Sequence, residues 1–268
     1  MSKKLNQIIQ SKKQRNEKYL SIFLTAGYPQ KNDTVDIILN LAENGIDFIE
    51  LGMPFSDPIA DGPVIQKASD KALANGITLD YVLRIVKQVR KSCVIPIILM
   101  GYANPVFHRG FESFFHEAKD AGVDGLILPD WPHEESQIYL DKLQKADLDL
   151  IHLIAPNTPR KRIRQIDAIS TSFIYCVAYT GVTGQDNKPT PATIEFFQYL
   201  NHTLTHPWII GFGVKNHRDF ETYTRYADGV IIGSAFIKLL EEAPKEQRAA
   251  KIAAFIKSIR MAEPSEGL

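Results

Sequence analysis

Eight short apolar runs recur along the chain, at Leu20 to Thr25, Phe48 to Leu51, Ile95 to Met100, Gly125 to Leu128, Leu150 to Ile154, Phe173 to Val177, Trp208 to Ile210 and Gly229 to Ile232. Between them lie amphipathic stretches of helical period, among them Thr34 to Glu43, Leu79 to Lys91, Phe111 to Ala121, Glu134 to Gln144 and Ala192 to Leu200. Gly45 and Gly122 stand where a left-handed residue would stop a helix. Strand and helix in alternation imply parallel strands joined by crossovers. The runs are continuously apolar, so the sheet must be covered on both faces. An eight-stranded parallel barrel ringed by helices meets both demands, and the 268 residues match the roughly 250 that such a barrel takes. The competing architecture, an open doubly wound sheet, expects a glycine-rich turn after its first strand. Here the first run leads into Ala26-Gly27-Tyr28-Pro29, and paired glycines cluster after the late runs.

The sequence therefore predicts an α/β fold, a single (β/α)8 TIM barrel over residues 1–268. An extra helix is expected at the N-terminus, Leu5 to Lys18 within residues 1–18, and a frayed tail over 261–268. Val64 to Ala74 reads as an added helix before Asn75-Gly76, which enlarges the second β/α connection.

Charge excludes some partners. Thirty-one basic residues balance 31 acidic ones, so no net field favours nucleic acid or an anionic membrane surface, and an anionic ligand must be held locally. No segment reaches membrane-spanning length, and no apolar signal core is expected behind Lys3, Lys4, Lys12 and Lys13, which read as the solvated face of the first helix. Cys93 and Cys176 form no CxxC pair and sit in apolar runs, which fits a reduced cytoplasmic protein.

The second run carries the chemistry. It reads Phe48-Ile49-Glu50-Leu51-Gly52 and opens into Met53-Pro54-Phe55-Ser56-Asp57-Pro58-Ile59-Ala60-Asp61-Gly62-Pro63. An apolar setting penalises a charged carboxyl and raises its pKa, whereas a looped-out acid stays solvated and ionised. Glu50 and Asp61 thus read as an acid/base pair of unequal protonation. A strand-end Glu that only accepts backbone N–H bonds, beside a loop that only turns, is the alternative at this point.

Glycine-bearing turns follow the last three runs: Gly181-Val182-Thr183-Gly184, Gly211-Phe212-Gly213, and Gly233-Ser234 opening a helix. Close backbone approach and unpaired first-turn amides can bind a phosphate without a basic cluster, and this is the place a barrel puts one. Phe23, Met100, Tyr102 and Phe212 lie at strand ends and suit the apolar end of a small phosphorylated substrate, although each also suits ordinary core. Other chemistries leave no trace. No run holds a lysine for a Schiff base, the seven histidines read as lacking HxH or HxxxH metal-ligand spacing, and GxSxG is absent. Carboxylate acid/base catalysis without a cofactor remains.

The acidic loop Glu50 to Pro63, with Tyr102-Ala103-Asn104-Pro105, Pro129-Asp130, Gly181-Val182-Thr183-Gly184, Gly211-Phe212-Gly213-Val214 and Asp228 to Ala235, resembles the tryptophan synthase alpha chain family. The resemblance spans about Phe23 to Leu240 and implies a lyase that splits indole-3-glycerol phosphate into indole and glyceraldehyde 3-phosphate. It also implies a partner, a pyridoxal-phosphate beta chain that receives the indole in an α2β2 heterotetramer. By that resemblance Glu50 transfers protons, Asp61 binds the indole N–H, and Tyr175 is the active-site tyrosine. Phe23, Met100, Tyr102, Thr183 and Phe212 would line the substrate, and Gly184, Gly213, Gly233 and Ser234 would cradle its phosphate. Tyr179, Met100, Arg109 and Trp131 depart from the commoner family pattern.

Overall fold

The computed structural model describes residues 2–177, 189–211 and 213–261. Nine parallel strand segments appear among them: β1 (Tyr19–Thr25), β2 (Phe48–Gly52), β3 (Ile97–Met100), β4 (Gly125–Ile127), β5 (Asp149–Leu150), β6 (Leu153–Ile154), β7 (Ile174–Cys176), β8 (Trp208–Gly211) and β9 (Gly229–Ile232). Their order is β5-β4-β3-β2-β1-β9-β8-β7-β6. The two ends of that order are one run of chain. Leu150 to Ile154, expected as a single strand, pairs with β4 through its first residues and with β7 through its last. Ile151 donates to Leu126 O at 2.9 Å while His152 O accepts from Tyr175 at 3.0 Å. The ring closes through this segment, which gives the expected barrel with its fifth strand divided in two.

Side chains fill the barrel. Phe23, Phe48, Ile98, Ile127, Ile151, Phe173, Tyr175, Ile209 and Ile231 form one buried cluster, with Phe48 and Phe173 ring centroids 5.3 Å apart. Leu5 and Ile9 of the first helix, Lys3–Arg15, belong to the same cluster and plug the end from which the strands start. A larger apolar layer lies between the sheet and the outer helices, as continuous apolar strands require. The helix after the acidic loop runs Pro63–Ala74, as expected, with proline at its start.

One expectation about the first helix fails. Lys12 is not on a solvated face: it is only 9 % exposed and meets Asp47 at 2.9 Å, because this helix lies across the barrel floor. Asp47, Asp124 and Asp228 precede strands on that floor, and each accepts a backbone N–H of a neighbouring strand, from Leu20, Ile97 and Trp208 respectively, at 2.8 to 3.0 Å. Arg90 and Arg260 add charge-assisted bonds to Asp124 and Asp47. These acids are structural. At the opposite end, where the strands finish, the chain behaves differently.

Candidate active site

Glu50 pairs in register with Phe23 on one side and Ile98 on the other, which turns its side chain into the barrel above Phe48. It is fully buried, and neither carboxyl oxygen has a hydrogen-bond partner among the described residues. Burial pushes its pKa up to about 8, with no opposing charge to bring it down. Near neutral pH it is held mainly as a carboxylic acid. A structural acid would be bonded, as Asp47 and Asp124 are, so the alternative reading of Glu50 as a backbone acceptor does not hold.

Asp61 differs from expectation. It is half-buried, and burial raises its pKa, opposed by the Tyr102 hydroxyl, which donates to Oδ2 at 3.1 Å. The same hydroxyl accepts from Ala60 N at 2.9 Å, and the Tyr102 ring stacks on Phe55 at 5.2 Å. Tyr102, expected only as a wall of the pocket, anchors the acidic loop and opposes the upward shift that burial imposes on the Asp61 carboxyl. Tyr102, Phe23, Gly52, Met100 and Pro129 line a narrow cleft with Asp61. Gly52 is needed there, because a Cβ would stand 2.7 Å from the Phe23 ring.

Tyr175, on β7, is buried in the barrel, and burial drives its pKa far up, reinforced by the negative charges of Glu50 and Asp61. The two acids and this phenol therefore share one electrostatic environment. Across the mouth, Gly233 precedes the helix Ser234–Glu242 and offers no side-chain cap, so first-turn amides face the strand ends. Gly213 has φ of 76°, a left-handed conformation that glycine adopts without strain. Ser234 is exposed at the helix start. Thr183, Gly184 and Phe212 lie outside the described residues, as does Tyr179.

The other departures have local partners. Arg109 bridges Asp80 and Glu117, each on a different helix, and the Trp131 ring stacks on Phe111 at 4.4 Å. Contrary to the expectation of no HxxxH spacing, His202 and His206 stand four residues apart. Each has a protein partner, His202 Nδ1 with Gln198 O and His206 Nδ1 with Asp167, and no cluster of three or more metal-ligating side chains occurs among the described residues. No helix among them is long and apolar enough to cross a membrane.

The whole chain has well-defined relatives. The tryptophan synthase alpha chain family model matches residues 9–264. A tryptophan synthase alpha chain of Flavobacterium johnsoniae is 44 % identical over 261 residues, 96 % of this chain and the full length of that one. That of Flavobacterium psychrophilum is 44 % identical over 236 residues, 87 % of this chain and 93 % of the relative. Among solved structures, the tryptophan synthase alpha subunit of Legionella pneumophila superposes with a TM-score of 0.89 at 35 % identity, covering 97 % of both chains. A structure of the α2β2 tryptophan synthase complex of Pyrococcus furiosus superposes at 0.84 with 33 % identity, covering 90 % of this chain and 97 % of that one. With a barrel of the same course and a near full-length family match, this chain belongs to the tryptophan synthase alpha chain family.

Proposed function

We propose that this chain cleaves indole-3-glycerol phosphate to indole and glyceraldehyde 3-phosphate, with Glu50 moving the protons and Asp61 stabilising the charged ring. The observation that carries the assignment is Glu50 itself, buried, unbonded and held protonated by desolvation. The acid gives its proton to indole C3. The positive charge then rests at the ring nitrogen, where the Asp61 carboxylate, oriented by Tyr102, stabilises the high-energy state more than the ground state. The C3–C1′ bond breaks, its electron pair restores the aromatic ring, and the C1′ hydroxyl returns a proton to Glu50 as its carbon becomes the aldehyde. One group suffices for both transfers because the carboxylate left by the first takes up the hydroxyl proton in the second, while the donated proton stays on indole C3. Tyr175 closes the barrel side of the site, and the Gly233 and Ser234 amides, with Gly213, hold the phosphate.

The family's subunit name and the α2β2 relative support a beta chain as partner; in this reading the complex is cytoplasmic and the beta chain takes up the indole. Ile59 and Phe107 are 84 % and 67 % exposed at the rim that also carries Asp57, Pro58, Asn104, Pro105, Asp130 and Pro132. Apolar groups of that size on a mouth rim suit a protein contact. Docking there accelerates cleavage only as far as the partner binds the closed acidic loop more tightly than the open one. Indole release by the purified chain, alone and with a cognate beta chain, tests both parts. No release from the wild type in either condition overturns the reaction, and equal rates with no detectable association overturn the partnership.

A further inference from the structure

Between β2 and the helix Pro63–Ala74 the chain forms no helix or strand, so Asp61 has no ladder of its own to hold it. The loop that carries it has little apolar anchorage at its tip, where Ile59 is 84 % exposed. Two turns shape it: Ile59 donates to Asp57 O at 2.9 Å, and Asp61 donates to Pro58 O at 3.0 Å. Bonds of this kind fix the local course of the loop. They do not fix its place above the barrel.

Two side chains supply that placement. Tyr102 reaches over from the end of β3 and holds both Asp61 Oδ2 and the Ala60 N–H. From the other side, Gln66 folds back over the helix start: its Nε2 donates to Asp61 O at 2.9 Å and meets Pro58 O at 3.4 Å. Both partners are carbonyl oxygens, so only the amide nitrogen of Gln66 can face them. The helix ladder begins one residue too late to serve Asp61 O, since Ile65 and Gln66 both give their N–H to Gly62 O. Gln66 thus bonds the main chain of the residue whose side chain Tyr102 bonds.

Gln66 itself stands on a fixed element. Ile65 beside it packs against the barrel cluster, and Ala68, Ser69 and Ala72 bury the inner face of the helix. A carboxylate that stabilises developing charge must be held in place before the charge appears, and a displacement of about 1 Å can cost up to about 100-fold in rate. The geometry points to Gln66 as a positioning residue for the cleavage: through the Asp61 main chain it sets where that carboxylate meets the ring nitrogen, without touching the substrate. This rests on the role given to Asp61 above. The competing account is an amide that only stabilises the fold.

Gln66→Met separates the two, because methionine keeps the length and helix preference of the side chain but has no donor. In indole release by the intact chain, kcat is expected to fall about 3- to 10-fold, the worth of one net hydrogen bond. KM should stay near that of wild type, since the Asp61 charge acts mainly in the transition state, and glycerol phosphate titrated by calorimetry should bind as before. In an Asp61→Asn chain, Gln66→Met is expected to lower kcat no further, because the carboxylate it positions is gone. An unchanged kcat in the single variant, a raised KM in place of a lowered kcat, weaker glycerol phosphate binding, or the same fold loss in both backgrounds would each overturn the positioning role. Should Asp61→Asn turn over too slowly to compare, the division between kcat and KM decides alone. No release from the wild type, or wild-type kcat in Asp61→Asn, would instead remove the cleavage reading, and the role of Gln66 with it.

Discussion

The hydroxyl of Tyr175 occupies the place that a Cβ on Gly211 would take, so the phenol on β7 is seated by a missing side chain on β8. Position 211 can carry no side chain while the Tyr175 ring stays where it is. Gly211→Ala forces the ring out of the packed barrel, at a cost of about 1–3 kcal/mol, and moves it relative to Glu50. The expected result is a lower melting temperature together with a fall in indole release. Combining it with Tyr175→Ala is expected to cost clearly less than the sum of the two single changes, because one clash is removed once. Strict additivity in a denaturation series would mean that the two residues do not meet.

Glu50 gives stability and rate a common pH signature. Its pKa rises from an ordinary 4.5 to about 8 on folding, so between those values the folded chain holds a proton that the unfolded chain has released. Stability from this group is complete below the lower value and is lost as pH climbs through the upper one, at about 1.4 kcal/mol per pH unit. Glu50→Gln removes that slope. Unfolding curves at pH 5 and 8 are expected to converge for the variant relative to wild type, while its turnover drops about 100- to 10,000-fold. The wild-type kcat/KM should fall above about pH 8, as the free acid loses its proton. A variant with wild-type turnover would remove Glu50 from the chemistry.

Tyr102→Phe separates the loop from its anchor. The hydroxyl holds Asp61 Oδ2 and the Ala60 N–H together, and it is the group opposing the upward shift that burial imposes on Asp61. Without it the Asp61 pKa rises further, and the carboxylate is lost at a higher pH. The acidic limb of the kcat/KM profile is therefore expected to move to higher pH in the variant, with the limb near 8 left in place. An unmoved acidic limb would show that Asp61 does not need Tyr102.

The local pattern shows in the sequence wherever one strand or one helix carries it. Glu50 stands out as an acid within an apolar run, and the helices Thr34–Glu43 and Phe111–Ala121 fall where their apolar period puts them. Features made by distant partners do not show. Asp61 reads as a solvated loop acid until Tyr102, from the turn after β3, closes on it, and Lys12 reads as surface until Asp47 meets it across the barrel floor. The division of the fifth strand follows from its neighbours β4 and β7, not from Leu150 to Ile154 themselves. Glu134 to Gln144 carries one helical period but forms a helical turn at His133–Ser136, a 3₁₀ turn at Gln137–Tyr139 and a second helix from Leu140, an irregularity that the apolar spacing does not encode. Arg160–Ile169 is dominated by charge, which dilutes its apolar signal.

The phosphate cradle can be tested with two glycines that differ in what a methyl group would do. At Gly233 the backbone lies at φ −112°, and an added Cβ would meet Phe23 and Ile65 at 3.6 Å, ordinary contact. Gly233→Ala is thus expected to melt within about 0.5 kcal/mol of wild type, as an unstrained exchange should. At Gly213 the φ of 76° makes any side chain strained, by about 1–2 kcal/mol, so Gly213→Ala should lower the melting temperature. If the helix start at Ser234 receives the phosphate, the methyl at 233 obstructs the approach of the anion to the first-turn amides. Loss of one charge-assisted bond corresponds to about 10-fold weaker binding or more. Calorimetric titration of glycerol phosphate into the two variants, beside their thermal melts, gives the comparison: Gly233→Ala weak in binding and sound in fold, Gly213→Ala reduced in fold. Unchanged affinity in a soundly folded Gly233→Ala chain would place the phosphate elsewhere.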